Sequence, residues 1–248
     1  MIWGTIVLLT GVAIWHAEPR FYLYWLHKLA YRVDKKVRFI SDISSYFPQH
    51  ELVQSHCESI KRECLALLTI GAKVPKAHQV DKYNNAISSD QGPGWRTFYL
   101  KVYGGWFTEN CDKCPQTYQL FKNMPNVTAV MFSIMEPGNR IPPHRGELKG
   151  IWRYQLPLVV PSTGTCAISV EEQTLEYQEG VGILFDDNLT HAVVNDSAEF
   201  RVVLFLDIQK HAPAAVKILD NFCMRLISLS PKFKRANVYL NQGGKFMA

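Results

Sequence analysis

Two things this sequence lacks bound what it can be. It has no apolar run at its N-terminus that reaches the roughly 20 residues needed to cross a bilayer core: "IWGTIVLLTGVAIW", residues 2 to 15, carries no charge but falls short of that length. No Lys or Arg precedes the run and no clear small-residue cleavage site follows it, which argues against a cleaved signal peptide and for a short or tilted membrane anchor over residues 1–19. Disulfide-dense spacing is missing as well. The six cysteines stand at 57, 64, 111, 114, 166 and 223, a pattern that excludes a disulfide scaffold and suits reduced thiols in a reducing compartment. Cys111 and Cys114 make one CxxC with no second pair at zinc spacing, so they read as loop thiols. No internal repeat or low-complexity stretch is evident, and 47% hydrophobic with 20% charged residues fits one sizeable globular core.

Negative charge is in the minority, with 22 acidic residues against 27 Lys and Arg, and the location of the basic residues decides what that means. Arg20, Lys28, Arg32, Lys35, Lys36 and Arg38 crowd into residues 20–45 beside the apolar N-terminus, where "FYLYWLHKLAYRV" has the amphipathic, aromatic character of a membrane interface. The expectation is membrane association through the N-terminus, single-pass or interfacial, and no nucleic-acid partner. Basic residues just after the anchor place the following domain on the cytoplasmic side.

Helical spacing runs from about 49 to 72, with Val53, Cys57, Ile60, Cys64, Leu65 and Leu68 near one stripe. A turn-rich stretch, "NAISSDQGPGWRT", then leads into the strand-like "WRTFYLKVYG". Beyond residue 126 short strands are expected near 128–135, 151–160, 165–170, 182–186, 191–194 and 200–208. That succession predicts a mainly β fold, a jelly-roll double sheet with flanking helices, over residues 46–210. Residues 211–248 return to helical spacing and continue into the basic "PKFKR", predicting a C-terminal amphipathic helix and basic tail.

Alternate residues of a strand share a face, so the strands place polar groups among apolar ones. Ser133 shares its face with Met131 and Met135, Arg153 with Gln155, and Arg201 with Val203 and Phe205. An arginine inside "AEFRVVLFLDI" is costly to bury unless an anion meets it. The anion is either an Asp or Glu of this chain or a ligand carboxylate.

His144 ends the proline-rich "NRIPPH" and His191 lies in "GVGILFDDNLTHAVVND", ten residues before Arg201. With "MFSIMEPGNRIPPHRG", "WRYQLPLVVP" and "FRVVLFLDI" in the same order, residues 80–210 resemble the aspartyl/asparaginyl β-hydroxylase family of iron(II) and 2-oxoglutarate dioxygenases. The arrangement of a short N-terminal anchor followed by a cytosolic domain is similar to that of the lipid A 2-hydroxylases within it. The resemblance implies a cupin-like double-stranded β-helix, Fe(II) as metal, and 2-oxoglutarate and O2 as cosubstrates. It makes His144 and His191 the metal ligands, assigns Arg201 with Ser133 to the distal carboxylate of 2-oxoglutarate, and places Arg153 toward the iron-chelating end.

Two positions depart from the common pattern. Gly146, two residues after His144, cannot supply the third, carboxylate ligand that most such oxygenases use. The peptide hydroxylases of the family also have His-x-Gly here, so the glycine does not make the site inactive. Glu147 is offset into the loop, and Asp186 or Asp187 would support a ligand histidine from behind. Gln155 stands where the peptide hydroxylases have histidine; it can donate a hydrogen bond to a carboxylate but carries no charge. The resulting expectation is a hydroxylase acting on an unactivated C–H of a membrane lipid such as lipid A. The alternatives are a peptide Asp/Asn hydroxylase and a noncatalytic anion-binding jelly roll.

Overall fold

Nine-residue strands with no exposed position need cover on both faces, and the architecture supplies it. The computed structural model describes residues 20–31, 38–69, 74–80, 82–88, 91–92 and 94–241. Ten strands form two antiparallel sheets: β1 (Trp95–Val102), β2 (Gly105–Trp106), β3 (Val127–Met135), β4 (Arg140–His144), β5 (Ile151–Val159), β6 (Thr165–Val170), β7 (Gln173–Glu176), β8 (Ile183–Phe185), β9 (His191–Asp196) and β10 (Arg201–Gln209). The six-stranded sheet has the order β2-β1-β3-β10-β5-β8 and the four-stranded sheet β4-β9-β6-β7.

The larger sheet is the middle layer. Its outer face, through Phe98, Val130, Phe132, Tyr154, Leu156, Leu204 and Leu206, packs with buried helix residues in one apolar cluster. Its inner face, through Met131, Met135, Val203 and Phe205, meets Ile141, Ile168, Val170 and Val193 of the smaller sheet in a second. Strands covered on both faces read as nearly continuous apolar runs, which is how "TAVMFSIM" and "VVLFLDI" appear. The smaller sheet turns one face to solvent, and β9 accordingly alternates between buried and less buried positions.

The expected helix over 49–72 is two helices. Helices α1 (Phe21–Ala30), α2 (Ile43–Tyr46), α3 (His50–Ser55) and α4 (Cys57–Thr69) precede the sheets, and α3 and α4 are separated at His56. There the Ser55 hydroxyl and the His56 ring both bond the Leu52 carbonyl, at 2.8 and 2.9 Å, competing with the regular helical pattern. After α5 (Ala77–Val80), α6 (Thr108–Lys113) and α7 (Pro115–Phe121) were too short to stand out by periodicity, although Pro115 sits at the favoured start of α7. Strand β4 was hidden by Pro142 and Pro143; it lies at a sheet edge, where proline is tolerated, and its pairing with β9 is irregular between Ile141 and His144.

Helix α8 (Ala214–Leu229), followed by α9 (Pro231–Asn241), packs against α1. Buried His27 accepts from the Gly150 amide at Nδ1 (3.0 Å), so its Nε2–H is free to donate to buried Asp220 at 3.0 Å. A side chain at 150 would strike the His27 ring at 2.6 Å, so only glycine fits there. Among the described residues no helix is long and apolar enough to cross a membrane. The expected anchor, residues 1–19, lies outside them, as do residues 32–37 and the last part of the basic tail.

Buried Glu63 ties the helical layer together, accepting from the Gln116 amide (2.7 Å), the Thr117 amide (2.9 Å) and the Thr117 hydroxyl (2.7 Å) at the start of α7. Glu63→Ala leaves these donors without their partner, and urea denaturation is expected to show a loss of about 2 kcal/mol with unchanged m-value.

Candidate metal and anion site

The end of β4 and the start of β9 pair His144 directly with His191, and the two ring centroids lie 4.1 Å apart. Each ring is held by its own chain: His144 Nδ1 bonds the Pro142 carbonyl at 2.8 Å and His191 Nδ1 the Leu189 carbonyl at 2.9 Å. A carbonyl only accepts, so both Nδ1 atoms carry the proton and both Nε2 atoms keep a lone pair. Burial favours the neutral imidazoles. It lowers His144 below the ordinary histidine value and takes His191 down to about 4, although Asp187 pulls both back up. Phe185 packs on His191 at 5.3 Å. Two neutral imidazoles with adjacent free Nε2 atoms are the form a divalent transition metal requires.

Gly146 donates its amide to the Asp187 carbonyl at 2.8 Å, and a Cβ added at 146 would lie 1.5 Å from Asp187 Oδ2. The space where a side chain at 146 would begin is therefore filled by a carboxylate arriving from the β8–β9 connection. Asp187 is buried; Oδ2 accepts from Arg153 at 2.9 Å, while Oδ1 has no hydrogen-bond partner and lies 3.6 Å from His191 Nε2. Glu147 is exposed and pairs with Arg20 at 3.8 Å. Asp186 is bound instead to the Asn188 amide and to Lys210, each at 3.0 Å. Among the described residues no group of three or more His, Cys, Asp or Glu stands close enough to hold a metal unaided; His144, His191 and Asp187 surround the gap between them.

Arg153 joins this group to the sheet. Besides Asp187 it approaches Asp207 at 2.8 Å, an ion pair too oblique for a good hydrogen bond, and its guanidinium stacks on Phe205 at 4.0 Å. Burial pushes the Asp207 carboxyl up, against the pull of Arg153.

Arg201, at the start of β10, is 1% exposed. Its Nη1 reaches Ser133 Oγ at 3.5 Å, Nη2 reaches Met135 Sδ at 3.4 Å, and Nε has no partner. None of the described carboxylates pairs with it, and the Tyr177 ring lies 5.1 Å from the guanidinium carbon. Of the two anions the sequence left open, the Asp or Glu of this chain is absent among the described residues. A guanidinium left buried without a counter-charge costs several kcal/mol, which makes Arg201 a candidate for holding an anion from outside. Ser133 Oγ accepts from Trp95 Nε1 at 2.9 Å, and Tyr177 donates to Gln155 Oε1 at 2.6 Å. The polar inner face of β5 thus links the arginine end, through Gln155, to the histidine end, through Arg153 and Asp187.

All six residues singled out from the sequence, His144, His191, Arg201, Ser133, Arg153 and Gln155, line this one interior or its rim. Trp95, seen in the sequence only as part of the strand-like "WRTFYLKVYG", supplies the donor to Ser133. Tyr177 carried no signal in the sequence; it directly follows β7, with its amide bonded to the Cys166 carbonyl at 3.0 Å. Of the two aspartates expected behind a ligand histidine, Asp187 lies beside His191 and Asp186 is turned to Lys210. Cys111 and Cys114 are buried away from it, Cys111 bonded to the Leu100 carbonyl, and burial pushes both thiols up, Cys111 to about 12.

A family model described as aspartyl/asparaginyl beta-hydroxylase matches residues 54–229. An ornithine lipid ester-linked acyl 2-hydroxylase from Rhizobium tropici is 32% identical over 189 residues, covering 76% of this chain and 66% of that protein. The human aspartyl/asparaginyl beta-hydroxylase is 32% identical over 119 residues, covering 46% of this chain and 16% of that protein. The chain thus spans just under two thirds of the first relative and a small part of the second. A Pseudomonas putida prolyl-4-hydroxylase crystal structure overlaps 64% of this chain and 88% of its own at 13% identity, with a TM-score of 0.41, too loose a likeness to add weight.

Gly146→Ala is expected to cost about 2 kcal/mol, since the methyl group must displace the Asp187 carboxylate. In an Asp187→Ala background the same change should be neutral to within about 0.5 kcal/mol, and a denaturant double-mutant cycle reads the coupling. A wild-type background that tolerates the alanine would mean that the two groups do not share the space.

Proposed function

The chain belongs to the aspartyl/asparaginyl β-hydroxylase family, and on that premise we propose that it is an Fe(II)- and 2-oxoglutarate-dependent dioxygenase, tethered to a membrane through residues 1–19 with its β domain facing the cytoplasm, that hydroxylates an unactivated C–H on an acyl chain of a membrane lipid such as lipid A. The observation that carries it is a buried guanidinium without a counter-charge in the same interior as two histidines whose Nε2 atoms are free.

Ferrous iron with 2-oxoglutarate and O2 would supply, when bound, an oxidant strong enough for an unactivated C–H bond, one oxygen atom of O2 going to the substrate and the other to the succinate left when the keto acid loses CO2. His144 and His191 would hold the metal through Nε2, each ring fixed in orientation and tautomer by its backbone carbonyl. Arg201 would meet the distal carboxylate. Ser133, whose oxygen already accepts from Trp95, keeps its own proton to donate to the same group. At the chelating end the unpartnered Asp187 Oδ1 places negative charge where Gly146 provides none, and Arg153 holds that carboxylate in place. Gln155, held by Tyr177, orients without adding charge. Met131, Met135, Val203 and Phe205 keep the interior apolar, which strengthens the charge interactions inside it and limits access of water.

The lipid class is supported by the acyl 2-hydroxylase among the relatives and by the uncharged N-terminal run with its basic flank. His-x-Gly at 144–146 favours the other reading, Asp or Asn in a peptide.

Anaerobic titration with Fe(II) and 2-oxoglutarate is expected to give the visible charge-transfer band of a chelated keto acid, and His191→Ala to abolish it. Arg201→Ala should keep the band but raise the 2-oxoglutarate needed to half-saturate it by about 100-fold. Absence of the band in the wild-type protein would leave a noncatalytic anion-binding module. Mass spectrometry of membrane lipids from cells with and without the protein should show one added oxygen on an acyl chain; unchanged lipids beside a hydroxylated peptide would replace the lipid with the peptide reading.

A further inference from the structure

Helices α1 and α8 come from opposite ends of the chain yet share one buried seam, where Leu23 packs with Met224 and Ile227, and His27 and Tyr31 bond the buried Asp220. Away from that seam both are apolar and uncovered. On α1, Phe21, Tyr24, Trp25 and Leu29 follow helical spacing along one stripe, with Leu29 69% exposed. On α8, Ile218, Phe222 and Leu229 form the stripe opposite Asp220, Met224 and Ile227; Ile218 is 68% and Phe222 58% exposed. So many large exposed apolar side chains on two adjacent helices call for a binding partner.

The charges bordering these stripes are of one sign. The only acid in α1, α8 and α9 is Asp220, and it is sealed in the seam; Lys28, Lys217, Arg225, Lys234 and Arg235 are exposed. Lys28 lies over the Trp25 ring at 4.7 Å, so the cation and the interfacial aromatic occupy one spot. The uncharged residues 2–15 join the chain at the N-terminal end of α1. Apolar stripes with aromatic residues, on helices whose own exposed charges are all cationic, are complementary to a bilayer interface carrying anionic headgroups.

We infer that α1 and α8 form an interfacial platform, so that the C-terminal helix lies on the membrane together with the N-terminal one. The His27–Asp220 seam makes the two helices one rigid unit, and through the bond from Gly150 to His27 that unit connects to the start of β5, the strand bearing Arg153 and Gln155. The use of the platform, holding the site at the height of a lipid acyl chain, rests on the lipid reading above; its contact with the membrane does not.

The test is photocross-linking in the full chain, with benzoylphenylalanine in place of Phe222 and, as reference, in place of Leu175, which is exposed on β7. The protein is bound to phosphatidylglycerol/phosphatidylcholine vesicles and irradiated without iron or keto acid, and the adducts are identified by mass. Phospholipid adducts at position 222 in at least about tenfold excess over position 175, reduced about tenfold by Lys217→Glu/Arg225→Glu, are expected. The platform is refuted by equal adducts at the two positions, by failure of the protein to bind the vesicles, or by cross-links from 222 to a second copy of the chain. A missing charge-transfer band alongside lipid adducts would remove the catalytic reading and leave the platform standing; the band without adducts would do the reverse.

Discussion

Covering both faces of the six-stranded sheet is the constraint on which the rest of the molecule depends. Once helices close one face and the smaller sheet closes the other, every polar atom on the inner face is cut off from water and must find a partner or be met by a ligand. Ser133 and Gln155 satisfy this with Trp95 and Tyr177, and Arg153, although its Nε lacks a well-formed hydrogen bond, has its charge balanced by Asp187 and Asp207. Arg201 has no carboxylate beside it among the described residues, and its buried guanidinium marks where the folded chain is electrostatically incomplete. The same enclosure holds both histidines neutral, so one feature of the packing prepares an anion pocket and a pair of metal-ready imidazoles.

Gly146 and Asp187 share one space although they come from different parts of the chain. A glycine two residues after a candidate ligand histidine reads as a loss when the neighbourhood is judged along the sequence. In space the glycine is what admits the Asp187 carboxylate, because any side chain at 146 would collide with it. Arg153 then balances that carboxylate from the adjacent strand. Charge near the histidines is therefore supplied by a position tied to His191 rather than to His144.

The two ends of the chain have a comparable relation. Gly150, His27 and Asp220 are far apart in sequence, and their mutual fit fixes α1 on α8 against the start of β5. Sealing the one acid of these helices in the seam leaves their exposed surface apolar and cationic, so the interaction that fastens the helices also sets the character of the face they present.

Much of this was legible in order along the chain. Short apolar runs between turn signals located β3, β5, β6, β8, β9 and β10 to within a residue or two, and period-two counting put Ser133, Arg201, Arg153 and Gln155 on faces that turned out to point inward, because alternate residues of a strand share a face. The spacing of His144, His191 and Arg201 was likewise a property of the sequence. Elements whose local signals conflict were not legible: β4 with its two prolines, the break at His56 where side chains compete for one carbonyl, and the short helices α6 and α7. Whether Arg201 had a partner in this chain, what filled the space beside Gly146, and that His27 would be buried against Asp220 were decided by tertiary structure alone. Each depends on which distant atoms come within a few ångströms, and a linear pattern carries the direction of a side chain without the identity of what waits there.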